Sequence, residues 1–169
     1  MGKLVYNERS WAIDLISEIN KWCSTRNIVI NRAGGESTLK KDKKRFFPDV
    51  LLYGDEGSGL VLQGWELKMP DVQITDKEFF DNAKKKAEIM NLKSFVLWNV
   101  SEANLYRIND DGTCEIIKTW NELSYIKKRE EVETPRNEWI KMLHQILDDL
   151  NYYFNRGDII SSKVANSIT

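Results

Sequence analysis

FPDVLLYGDEGSGLVLQGWELKMPD, residues 47 to 71, holds two apolar runs, Val50 to Tyr53 and Leu60 to Met69, joined by Gly54-Asp55-Glu56-Gly57-Ser58-Gly59. Short apolar runs bounded by Gly and Pro read as strands, and the glycine-rich bridge reads as a hairpin turn. Side chains along a strand alternate faces, so Glu66 and Lys68 share one face while Trp65 and Leu67 take the other. By the same count Leu60, Leu62 and Gly64 precede Glu66 on its face, which changes from apolar to charged, and Gly64 leaves room for a close ligand. Asp49 heads the neighbouring strand and reaches the same place once the hairpin closes, although so long a turn leaves the register open.

Sixteen residues separate Asp49 from Glu66. Two carboxylates and an amine in this setting suit metal-dependent phosphodiester hydrolysis. Mg2+ takes one or two carboxylates, keeps several waters and fills its remaining positions with phosphate oxygens. Asp49 and Glu66 are the expected metal ligands, with the Leu67 carbonyl as a further oxygen and Mn2+ as the expected substitute ion. A bound ion acidifies its water and neutralises charge that builds on the phosphorane and the leaving oxygen. Lys68 orients or deprotonates the attacking water, or offsets negative charge. Positioning and charge suit it better, because an amine becomes a base near neutral pH only where burial or a cationic neighbour depresses its pKa.

Pro48-Asp49 with Glu66-Leu67-Lys68 resembles the PD-(D/E)xK phosphodiesterases, the restriction-endonuclease-like superfamily. The likeness runs from residue 8 to about residue 108, through Glu8-Arg9-Ser10-Trp11-Ala12-Ile13-Asp14, Arg32-Ala33-Gly34-Gly35-Glu36, FPDVLLYGD at 47–55, LQGWELKMPD at 62–71 and Ile74-Thr75-Asp76. These stretches resemble the amino-terminal nuclease region of large bacterial restriction-modification polypeptides that continue into an adenine-specific DNA methyltransferase. The resemblance implies an α/β fold with a restriction-endonuclease-like core, a central mixed β-sheet flanked by helices. It implies a Mg2+-dependent DNA endonuclease of type II-like restriction character, the cleavage domain of a restriction-modification or phage-defence enzyme. Asp49, Glu66 and Lys68 would be catalytic, and Glu8 on the first helix is a candidate third carboxylate for the metal, with Glu18 a weaker one. Arg32 and Glu36 are further candidates, with a loop ion pair as the plain alternative. The expected partners are DNA and methyltransferase, specificity or helicase domains on the same or an associated chain, with a homodimer as one route to cutting both strands. A DNA-binding or docking module on the same fold, its catalysis lapsed, is the competing reading. RNA stays open as a substrate, and DNA rests on the resemblance.

With 41% hydrophobic and 30% charged residues the chain has the make-up of an ordinary soluble domain. Its net charge of −1 argues against a uniformly basic nucleic-acid coat protein. Lys40-Lys41-Asp42-Lys43-Lys44-Arg45 nevertheless packs five cations just before Asp49. Lys40, Lys41, Lys43, Lys44 and Arg45 there are candidate contacts to flanking phosphates, against the plain reading of a solvated loop. Cys23 and Cys114 are too few for a zinc site, and His144 is the only histidine, which excludes zinc hydrolases and histidine triads. No run reaches a membrane span and no signal peptide opens the chain, so a cytoplasmic protein is expected.

Apolar periodicity predicts a first helix over 8–24, capped by Asn7, with Trp11, Ala12, Leu15, Ile16, Ile19, Trp22 and Cys23 inward. Ile28-Val29-Ile30 reads as a short strand ended by a Gly34-Gly35 loop. Met69-Pro70 stops the hairpin, and Thr75 or Asp76 caps a second helix with Phe79, Ala83, Ala87 and Met90 inward. Asn82, Lys85 and Lys86 fall on its other faces as candidate DNA contacts or a solvated lysine face, and the glutamine common on this helix in the superfamily is absent. Ser94 to Val100 suits a central strand reached by a crossover. Leu105–Ile108 and Cys114–Lys118 flank a turn at 109–112, and Trp120 and Tyr125 are expected at the sheet edge. The domain reading is a nuclease core at 1–126, a charged linker at 127–137 and a C-terminal helical segment at 138–169. Trp139, Ile140, Leu143, Ile146, Leu147, Leu150 and Tyr153 make that helix's stripe, to be buried against the domain, a partner copy or a following domain. The resemblance and the open-ended tail imply that the natural protein continues beyond Thr169.

Overall fold

The computed structural model describes residues 6–35, 47–55 and 60–159. The chain is an α/β protein in which six strands form one mixed sheet: β1 (Arg32–Gly34), β2 (Val50–Asp55), β3 (Leu60–Leu67), β4 (Ser94–Trp98), β5 (Ala103–Ile108) and β6 (Cys114–Trp120). Their order in space is their order in sequence. Every neighbouring pair is antiparallel except β3 and β4, which run parallel and are joined through helix α2 (Lys77–Ile89). Helix α1 (Glu8–Ser24) opens the fold and α3 (Arg136–Arg156) closes it.

Alternation along the strands sorts the core into two layers. Val96, Trp98, Ala103 and Leu105 face a large cluster built with α1 and α3, whereas Phe95, Leu97, Tyr106 and Ile108 face a smaller one built with α2. Four tryptophans tie the larger layer together: Trp11 meets Trp98 and Trp139 edge-on, and Trp65 meets Trp98. Asn7 and Asp76 cap α1 and α2 by accepting from Ser10 N and Phe79 N, and Gly157 ends α3 in the left-handed conformation.

Several expectations are revised. The first strand lies at Arg32–Gly34 rather than 28–30, because the Asn20 side chain on α1 both donates to and accepts from the Ala33 backbone and pins that segment at the sheet edge. Face alternation in β3 is broken: Leu52 pairs with Gln63 but Tyr53 pairs with Val61, which leaves Leu62 as an extra, bulged residue. Leu60 and Leu62 therefore pack with α1 and α3, and Val61 takes the α2 side. Gly54 is a second unpaired residue, between the Tyr53–Val61 and Asp55–Leu60 pairs, and an added Cβ there would come within 2.7 Å of Leu62. Tyr125 is 63% exposed, while Trp120 is buried and donates to Asp149 on α3.

The 127–137 segment is packed rather than free-standing. It contains a single 3-10 turn (Arg129–Glu131), and its Val132 is fully buried and accepts through its carbonyl from Trp139 Nε1. Arg136 pairs with Asp14 on α1, so α3 buries its stripe against the domain itself.

Candidate functional site

Val50 pairs with Trp65, so the register continues to set Asp49 opposite Glu66. The last ladder position of β2 is filled by a side chain: Asp49 Oδ2 accepts from the Leu67 backbone N–H at 2.8 Å. Pro48 fixes this approach. Its ring lies over Gly64, where an added Cβ would meet Pro48 Cγ at 2.4 Å, so the space expected for a ligand is occupied by the proline that delivers Asp49.

Glu66 is 5% exposed and lies on the α2 side of the sheet, paired with Leu97 of β4. Its carboxyl lies beside that of Asp49, close enough for the two groups to act on each other's charge. Lys86 of α2 completes the group, its Nζ lying 2.7 and 3.0 Å from the two oxygens of Glu66. Lys86 therefore points to the sheet instead of lying on an outer face with Asn82 and Lys85, which are exposed. The sequence did carry the signal, since Phe79, Ala83, Lys86 and Ala87 follow the i, i+4, i+7, i+8 spacing of one helix face. Lys68, one step beyond β3 on the Glu66 face, is half-buried. Among the described residues its ammonium has no hydrogen bond or ion pair, yet its charge acts on Asp49.

Electrostatics follow from the packing. Burial, then the adjacent Asp49 charge, push the Glu66 carboxyl up to about 7, against the pull of Lys86. Burial also raises Asp49, opposed by the Leu67 N–H and by Lys86, Glu66 and Lys68. A paired, buried carboxyl group of this kind favours a cation, and the Lys86 ammonium already stands where one would sit. Two hard carboxylates fit Mg2+. The N–H and C=O of a strand residue point to the same side, so the Leu67 carbonyl is directed to the flank where Asp49 lies.

The other candidates are more scattered. No group of three or more His, Cys, Asp and Glu side chains able to hold a metal exists among the described residues, so Glu8 does not join Asp49 and Glu66. Glu18 is committed elsewhere, to Lys21 and to Arg136 of α3. Arg32 stacks over the Tyr53 ring, 3.9 Å from its centre, a structural use of its charge. Glu36, Lys40, Lys41, Lys43, Lys44 and Arg45 lie outside the described residues. No described helix is long and apolar enough to cross a membrane.

No protein-family model, curated protein or solved structure matches this chain.

Proposed function

We propose that this chain is a Mg2+-dependent DNA endonuclease on a restriction-endonuclease-like core, serving as the cleavage domain of a restriction-modification or phage-defence enzyme. The observation that carries the reading is the convergence of Asp49, Glu66 and Lys68 at one end of the β2–β3 hairpin, as the PD-(D/E)xK resemblance implies. Asp49 and Glu66 would hold the ion together with the Leu67 carbonyl, and the ion would acidify a water and neutralise charge on the scissile phosphate.

The protein's own groups divide the remaining work. Asp49 is locked by the Leu67 N–H, so one of its oxygens keeps a fixed direction. Lys68, uncommitted among the described side chains, holds the attacking water or the phosphate oxygen by charge and hydrogen bonding. Partner domains carrying methyltransferase, specificity or helicase functions would choose the site, and the Lys40–Arg45 run would hold flanking phosphates.

One observation favours the competing reading of a lapsed binding module: Lys86 Nζ pairs with both oxygens of Glu66. Supercoiled plasmid incubated with Mg2+ or Mn2+, with chelator as control, decides between them. Nicking by the wild-type chain that falls at least ~100-fold in both Asp49→Asn and Lys68→Ala is expected, the loss typical of removing a catalytic proton-transfer or charge-stabilising group. Cleavage unchanged in both variants would rule this site out.

A further inference from the structure

Lys86 is the feature that the nuclease reading leaves unused. It comes from α2, across the sheet–helix gap, and holds both oxygens of Glu66. Its side chain is only 20% exposed and that of Glu66 6%. An ion coordinated by Glu66 needs at least one of the oxygens that Lys86 occupies. Two cations on one buried carboxylate repel at short range, where screening is weak. Lysine has the means to leave: four flexible carbons, a partly open side and the exposed Asn82 and Lys85 beside it on the same helix.

We propose that Lys86 is a resident cation of the carboxylate pair, a positioning residue that keeps Asp49 and Glu66 assembled before metal arrives and is displaced from Glu66 by the incoming divalent ion. Displacement turns the ammonium out beside Lys68 and Lys85, adding one positive charge to the surface a phosphate approaches. Metal binding and the Lys86–Glu66 ion pair are thus competitive, and the coupling is reciprocal. This inference rests on the metal-dependent reading of the site.

The test is Mn2+ binding to the full chain, by titration calorimetry or by the paramagnetic signal of free Mn2+, in wild type, Lys86→Met, Lys86→Arg and Asp49→Asn. Methionine keeps the length and helix preference of lysine without its charge. Mn2+ is expected to bind Lys86→Met about 5- to 150-fold more tightly than wild type, the usual range of a coupling between two sites. Lys86→Arg should stay near wild type. In parallel, Lys86 should be slow to react with an amine-acetylating reagent without metal, and several-fold faster with Mn2+ present, as read by peptide mass spectrometry. Equal or weaker Mn2+ binding by Lys86→Met, with wild-type binding that still depends on Asp49, overturns this role for Lys86 and leaves the nuclease reading standing. Absence of Asp49-dependent binding in wild type and Lys86→Met alike overturns the metal site and this inference with it.

Discussion

Glu66 carries a cost that changes with pH. In the folded chain its carboxyl holds a proton up to about pH 7, whereas in the unfolded chain it releases the proton near pH ~4.3. Between those values the native state binds more protons than the unfolded state, so stability falls as pH rises through the window. Asp49 is shifted the same way and adds to the trend, while Lys86 and Lys68, the cations beside the pair, oppose it. Metal-free protein is therefore expected to be more stable at pH 5 than at pH 8, by up to about 3 kcal/mol from the Glu66 shift. Urea denaturation at the two pH values measures this, and Glu66→Gln should flatten the difference. A wild-type stability that climbs with pH across the window would contradict it. Gly64 gives a second test at this scale. A methyl group there collides with the Pro48 ring, so Gly64→Ala should cost about 1–3 kcal/mol through overpacking. It should also disturb Asp49, lowering Mn2+ affinity as well as the denaturation midpoint.

At the scale of elements, the edge strand β1 is held by a helix side chain. Asn20→Ala removes both hydrogen bonds to Ala33, and a loss of about 1–3 kcal/mol is expected from two hydrogen bonds to backbone. Hydrogen exchange should quicken at the Ala33 amide, which loses its acceptor, with little change in β4. These elements also show how far the sequence could be read. The limits and cap of α1 were legible, and the start of α2 to within one residue, because one helix face repeats apolar residues and Asn7 and the Thr75-Asp76 pair stand just before it. The hairpin and its three charged residues were legible for the same reason, local pattern. The bulge at Leu62 was not: it depends on which β2 residue pairs with which β3 residue, and Leu-Val-Leu reads equally well with or without it. The use of Gly64 by Pro48 is likewise a contact between strands. Lys86 was half-visible, on the inward spacing of α2 but assigned outward because a lysine there is usually solvated.

For the whole molecule, α3 and the segment before it decide whether the fold stands without further domains. Trp139 is fully buried among Trp11 and the α1 layer, so Trp139→Ala should cost about 3–5 kcal/mol, seen as a lower midpoint in denaturant. Because Val132 and Arg136 anchor the charged stretch to the core, trypsin should cut slowly at Lys127, Lys128 and Arg129 in native protein. Rapid cleavage there, releasing α3, would show that the segment is a true linker.

The strands lie in the sheet in the order in which the chain makes them. Two three-stranded meanders, β1–β2–β3 and β4–β5–β6, meet along a single seam, the parallel β3–β4 pair. The chain passes that seam once, through α2, and everything that forms the carboxylate site precedes residue 90. A polypeptide divided near Asn91, where the backbone turns with φ of 58° after α2, would give two pieces, each with its own meander, that meet along the β3–β4 seam and through the α1–α3 layer. Such a division invites complementation: the first piece carries the Asp49–Glu66–Lys86 group, the second supplies β4 and the α3 cover, and the group would re-form in full only when the two are brought together.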